Sequence, residues 1–331
     1  MHYLAGVDEA GLGPILGPLV VGGVSMAGPE GVSPWRVLQR HVTKQGYKKG
    51  KIRVADSKKV KSGPHGFQRL EETALVLWAA WTGTLPNTLG EWLQTLGHDL
   101  EPLARCPWYQ DLDLPLPQAA DRDWILLTGE MVARALARAD CALFDISARA
   151  VDVEEWNGLI AATDNKSRAH FHAYSIVLQR LVAGLMPRID DGDAAHLVAD
   201  RCGGRAHYRN ELQKLFPDAA VSIHEERPGR SSYRIRSGGA GACNSTPPVR
   251  ELMLTFAERA EERAFPTALA SCCAKYLREL MVATINRWFA VRIPGLRPTA
   301  GYYVDGHRFL VDVEPQIAAL DLPRERLIRV R

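Results

Sequence analysis

Two adjacent carboxylates, Asp8 and Glu9, follow a short apolar run and precede a Gly-Leu-Gly-Pro turn in AGVDEAGLGPILGPLVVGGV. A third acid, Asp200, closes the apolar stretch AHLVAD. An ionised carboxylate at the poorly solvated end of a buried strand is costly unless something positive compensates it. A divalent cation does so, and Mg2+ in particular takes hard carboxylate oxygens while keeping waters and substrate phosphates as its remaining ligands. Taken alone, each acid has a second reading, as a helix cap or as the partner of an arginine. Arg201 adjoins Asp200, and Arg263 lies two residues from Glu261.

These acids need elements to hold them. Residues 2–8 and 17–26 read as two strands joined by the Gly/Pro turn, because Val-rich runs bounded by glycine favour strand over helix. The run TALVLWAAW, within 66–83, is too uniformly apolar to separate helix from strand. RCPWYQDLDLPLPQAADRD fits no period, so 84–138 reads as an insertion with an irregular excursion. CALFDISARAVDVEEWN returns to strand and turn character, and NKSRAHFHAYSIVLQRLVAG reads as an amphipathic helix ending at Gly184. His170 and His172 on that helix point in different directions, which argues against a metal pair. AHLVAD, AAVSIHEE and ELMLTFAE read as strands, and Pro266 opens a helix that spaces Leu269, Cys272, Cys273, Tyr276 and Leu280 along a core face. A hairpin followed by alternating helices and strands predicts an α/β fold with a mixed sheet. The Gly/Ser/Pro-rich stretch near 236–248 reads as a mobile loop.

Composition narrows the class. The chain has 331 residues, 46% hydrophobic, enough for a sizeable core. No apolar stretch approaches the roughly 20 residues of a membrane span, and the N-terminus lacks a basic-then-apolar signal pattern, so the expected setting is cytoplasmic with no membrane contact. The 6 cysteines form no C-x-x-C pair, which argues against a zinc ribbon and a disulfide framework. A net charge of +3 carries no argument for nucleic acid, but KQGYKKGKIRVADSKKVK gathers basic residues around the lone Asp56, and RPGRSSYRIR is a second basic cluster. Either run also reads as a solvated surface.

In combination these segments resemble the type 2 ribonucleases H, the ribonuclease HII and HIII group. GVDEAGLGPILGPLVV is similar to that family's D-E-x-G-[RK]-G-P opening. ADSKK resembles its D-S-K-K loop, LVADR its third acidic strand end, ASCCAKYLRE its A-S-x-x-A-K-x-x-R-[DE] helix, and GYYVDG its G-Y-x-[ST] turn. The five matches stand in the family's order over 1–62 and 139–310. The resemblance implies an RNase H-like fold, a mixed central sheet flanked by helices, across 1–310, with 311–331 a C-terminal extension.

It also implies the site. The family's acids fall on Asp8, Glu9 and Asp200, and counting ten residues back from Ser271 places the fourth on Glu261, with Glu258 and Glu262 as neighbouring alternatives. The implied activity is a divalent-metal-dependent endonuclease hydrolysing the RNA strand of an RNA-DNA hybrid or a ribonucleotide-containing duplex. Two Mg2+ or Mn2+ ions about 3.5–4 Å apart would clamp the attacking water and the departing 3′-oxygen. Asp8, Asp200 and Glu261 are expected to hold them. Because strand neighbours face opposite ways, Glu9 is expected to contribute differently, through its carbonyl or at the bend. Gly11, Leu12 and Gly13 form the turn that approaches the sugar-phosphate, Lys58, Lys59, Arg201 and Arg205 are backbone contacts, and Tyr302 packs on a sugar, with Tyr303 its neighbouring alternative. Leu12 stands where the family has Arg or Lys. No obligate protein partner is implied. A nuclease acting on another structured nucleic acid and a catalytically silent nucleic-acid-binding module remain alternatives.

Overall fold

Glycine and β-branched residues decide how the centre of the molecule is assembled. A computed structural model of the chain describes residues 1–190, 192–238 and 249–330, so most of the loop expected near 236–248 lies outside the described residues. Strands β1 (His2–Ala10) and β2 (Leu19–Gly28) form the expected antiparallel hairpin, although β1 runs two residues past Asp8. Five more strands complete one sheet: β3 (Ala142–Val151), β4 (Ala194–Asp200), β5 (Ala220–Arg227), β6 (Arg230–Ser237) and β7 (Arg250–Ala257). Their order is β3-β2-β1-β4-β7-β6-β5, with β1–β4 and β4–β7 parallel and the remaining pairs antiparallel. This is a mixed central sheet flanked by helices, the architecture that the resemblance implies.

The helices that matter here are α1 (Ser57–Lys61), α2 (Gly66–Thr82), α3 (Leu89–Thr95), α4 (Arg122–Ala137), α5 (Val153–Thr163), α6 (Lys166–Leu185), α7 (Ala260–Arg263), α8 (Phe265–Ala290) and α9 (Tyr303–Ala319). Helices α8 and α6 cover opposite faces of the hairpin. A Cβ on Gly22 would meet the Ala270 carbonyl of α8, whereas one on its neighbour Gly23 would meet Val177 of α6. At Gly6 the approach of α8 is closest, since a Cβ there would sit 2.1 Å from the Thr267 nitrogen. The Thr267 hydroxyl then donates to the Val198 carbonyl of β4 at 2.7 Å, fixing the start of α8 against the central strands.

Between 66 and 83 the chain is helical. Leu70, Glu71 and every residue from Thr73 to Ala79 are buried, which removes the polar face that periodicity needs, and Gly83 ends the helix in the left-handed region at φ 75°. The 84–138 segment is packed rather than loose. Trp92 of α3 lies against Trp78 and Tyr276, and the wholly buried Glu71 of α2 accepts hydrogen bonds from the N–H groups of Gln118, Ala119 and Ala120. Helix α9 runs across position 310, and the residues after it return to the β1–β2 turn, where Ile328 bridges to Leu16. The five described cysteines are free and buried, Cys272 and Cys273 in the core beneath α8. Among the described residues no helix is long and apolar enough to cross a membrane.

Candidate metal centre

Sheet register assembles the acids. In the parallel pair, Val7 stands opposite Ala199, so the next residue of each strand, Asp8 and Asp200, emerges at the same level. Carboxylate oxygens of Asp8, Glu9 and Asp200 all lie within 4.8 Å of one another. The Glu9 side chain therefore lies beside the other two carboxylates, alongside the expected contribution through its carbonyl or at the bend. The alternation itself is present, because Asp8 lies beside Ser271 of α8 on one face while Glu9 accepts from the Tyr174 hydroxyl of α6 on the other. The Asp8 carboxylate also accepts from the Glu9 N–H at 2.7 Å, and this bend draws it towards its neighbour.

The electrostatics of this cluster are unfavourable to three bare anions. Burial first, then the charges of Glu9 and Asp200, hold the Asp8 carboxyl well above the usual carboxylate range. Burial raises Glu9 to about 7, with Asp200 adding to the effect and Tyr174 opposing it. Asp200 is pushed up to about 6 by burial and by Glu261, against hydrogen bonding from the Ala260 N–H. Hard oxygen donors, crowded and poorly solvated, are the set that suits Mg2+ or Mn2+, and a cation would relieve the repulsion that raises these carboxyls.

Glu261 does not belong to this close group. It sits on α7, and burial followed by the charge of Asp56 raises its carboxyl. Its neighbours are engaged elsewhere, Glu258 with Arg201 at 2.5 Å and Glu262 with Lys59 at 2.7 Å. Of the three, Glu261 is the one whose charge is felt at Asp200.

Around the acids, Asp56 caps α1 by accepting from the Lys58 N–H at 2.9 Å, and the α1 hydroxyl of Ser57 meets Ser271 at 3.0 Å. The ADSKK loop is thereby tied to the α8 residue that lies beside Asp8. Lys58 is exposed and favours ionisation of both Glu9 and Asp200. Lys59 is paired with Glu262, Arg201 with Glu258 and Arg205 with Glu211, so the last two stiffen the 201–205 loop. Arg227 and Arg230 pair with Glu225, and Arg234 with Glu251, on β5–β7. Gly11 adopts φ 96°, and a Cβ there would come within 2.5 Å of the Arg278 Nε, so the turn requires glycine. Leu12 packs against the core that faces α6, whereas Gly13 is open. Tyr302 is 45% exposed, with Lys275 and Arg278 at 5.7 and 5.6 Å from its ring centre. The adjoining Gly301 carbonyl accepts from Ile15 and Leu16, joining this tyrosine to the β1–β2 turn.

Sequence reasoning missed Tyr174 and His170. His170 is buried, its Nε2 lies 3.8 Å from Glu9 without a hydrogen-bond partner, and burial, then Arg329, lowers it to about 4. His172, two positions on, is exposed. The amphipathic pattern of α6 identified its buried face but carried no signal that this face ends on an acid.

No family model matches the chain, and no curated protein matches it. Among solved structures it is similar to a ribonuclease HII from Archaeoglobus fulgidus, described in complex with PCNA, at 15% identity over 99% of this chain and 94% of that one, with a TM-score of 0.42. It is also similar to ribonuclease H2 from Pyrococcus horikoshii, at 13% identity over 98% and 92% of the two chains, TM-score 0.37. RNase H3 from Aquifex aeolicus matches at 15% identity over 98% of this chain and 71% of its own, TM-score 0.34.

Proposed function

We propose that the protein is a divalent-metal-dependent endonuclease that hydrolyses the RNA strand of RNA-DNA hybrids. The observation that carries this reading is the convergence of Asp8, Glu9 and Asp200 within 4.8 Å, with all three carboxyls raised by burial and by neighbouring acids. Asp8, Glu9 and Asp200 would hold the ion, with Glu261 completing the acidic wall from α7. When bound, Mg2+ or Mn2+ supplies an activated water and charge neutralisation at the phosphate.

The chain's own groups do the rest. The Glu9 N–H holds the Asp8 carboxylate and the Tyr174 hydroxyl holds that of Glu9, which orients both for a cation. Lys58 offers an exposed charge beside the acids for a backbone phosphate. Tyr302 presents a half-exposed ring for a sugar at the same turn, where the 2′-hydroxyl distinguishes RNA from DNA. Arg201 and Arg205, committed to Glu258 and Glu211, position their loop and reach a phosphate only by exchanging those partners.

A second reading concerns substrate length. Leu12, half-buried against the core, brings no cation to the Gly11–Gly13 turn, which favours continuous hybrids over a duplex with one embedded ribonucleotide. The test compares both duplexes, in Mg2+ and in Mn2+, with wild type and Asp8→Asn. Cleavage by wild type and none by the variant is expected. Cleavage of neither duplex by wild type contradicts the proposal, and cleavage of the continuous hybrid alone assigns a role to Leu12.

A further inference from the structure

The turn that follows the acids rests on two buried guanidinium groups from distant parts of the chain. Arg278 of α8 is fully buried; its Nη2 donates to the carbonyls of Leu16 and Ala300 at 3.2 and 3.1 Å, and its Nε and Nη1 have no acceptor. Its nearest carboxylate, Glu279 at 3.9 Å, is shared with Lys275 and Lys61. Arg329 arrives from the C-terminal arm and is 4% exposed. Its Nη1 donates to the Gly11 carbonyl, its Nε has no acceptor, its guanidinium lies 4.6 Å over the Trp156 ring, and it has no carboxylate partner among the described residues.

The arm that delivers it is firmly seated. The Arg329 N–H donates to the Ile15 carbonyl at 2.9 Å, and Asn157 of α5 bonds the main chain of Glu325, Ile328 and Val330. A buried cation bonded to neutral carbonyls alone is poorly compensated, and the approach of an anion relieves it. Burial, with Arg278 alongside, pushes Arg329 down to about 9. On the outer side of the turn, the Leu12 and Gly13 N–H groups donate to nothing among the described residues, and a Cβ at Gly13 would have nothing within 4 Å. A hydrogen bond to a carbonyl polarises its peptide unit, so the Arg329 contact at the Gly11 C=O strengthens the Leu12 N–H of the same peptide as a donor.

We propose that the C-terminal arm is a working part of the substrate site, in which Arg329 is a positioning residue that fixes the Gly11–Gly13 turn through the Gly11 carbonyl and, with Arg278, places positive charge behind it to receive a nucleic-acid phosphate. This rests on the nuclease reading and is tested without turnover. In the full-length Asp8→Asn protein, binding of a fluorescein-labelled RNA-DNA hybrid is measured across a salt series, with and without Arg329→Gln, Arg329→Lys and Asn157→Ala. Arg329→Gln is expected to weaken binding about tenfold and flatten the salt dependence, as loss of one charge-assisted contact does. Arg329→Lys recovers part of the loss, Asn157→Ala falls between, and the melting temperatures stay within a few degrees of the parent. Unchanged affinity and salt slope in Arg329→Gln overturns the proposal. So does a loss that lysine does not recover and that a collapse in melting temperature accompanies. A wild type that binds the hybrid but cleaves none fails the nuclease reading and leaves this comparison standing.

Discussion

Glu71 and Asp8 are both buried carboxylates within one fold, and their surroundings are opposite. Glu71 has donors on both oxygens: the Gln118 N–H and the Tyr276 hydroxyl on one, the Ala119 and Ala120 N–H groups on the other, at 2.6–2.7 Å. It pins the 118–120 loop to α2 and α8. Asp8 faces two more acids, accepts from the Glu9 N–H, and its carboxyl is held well above the usual range. Burial alone therefore does not mark a functional acid. A buried acid surrounded by donors is an anchor, and one surrounded by acids is a candidate cation ligand.

The comparison breaks most visibly in activity. Asp8→Asn and Asp200→Asn are each expected to lower hybrid cleavage by on the order of 10³-fold in a gel assay, with the fold intact in circular dichroism. Glu71→Ala is expected to act the other way. Orphaning three N–H groups costs about 3 kcal/mol or more in urea unfolding, while the protein that remains folded binds Mn2+ as wild type does. Loss of Mn2+ binding in folded Glu71→Ala, or a large stability loss in Asp8→Asn, erases the distinction.

The clustered acids also make stability depend on pH. Carboxyls raised in the folded state stay protonated there while the unfolded chain ionises, so metal-free stability declines as pH rises from about 4 towards 7. Thermal melts in chelator are expected to fall over that range for wild type and less steeply for Asp8→Asn. Added Mn2+ should restore the melting temperature more at pH 7.5 than at pH 5, because protons compete for the same oxygens. Tyr174→Phe removes the donor to Glu9 and is expected to weaken Mn2+ binding about tenfold, read by titration calorimetry. The smallest effect belongs to Lys58→Ala, expected to reduce the slope of log affinity against log salt by about 1 in hybrid binding.

The sequence was most informative where a local pattern and its partner lie close together. Val-rich runs around glycines gave the hairpin, Pro266 and the core spacing gave α8, and the apolar stretch ending in Asp200 gave β4. Helix α2 was ambiguous because its run from Thr73 to Ala79 is buried without a polar face. The 84–138 segment looked irregular because its order comes from a carboxylate on another helix, Glu71, rather than from its own period. Asp8, Glu9 and Asp200 could be named from the residues, but their approach within 4.8 Å needed the parallel register and the bend at Asp8. Tyr174 and His170 lie 165 and 161 positions from Glu9, and Arg329 lies 318 positions from Gly11, and nothing local in the sequence announces such contacts.

Calorimetric titration of metal-free wild type with Mn2+ at pH 7.5, repeated in two buffers of different ionisation enthalpy, tests the central claim most directly. Binding accompanied by proton release, absent from Asp8→Asn, is the predicted result, since cation and protons compete for raised carboxyls. Equal Mn2+ binding by Asp8→Asn, or none by wild type, would contradict it.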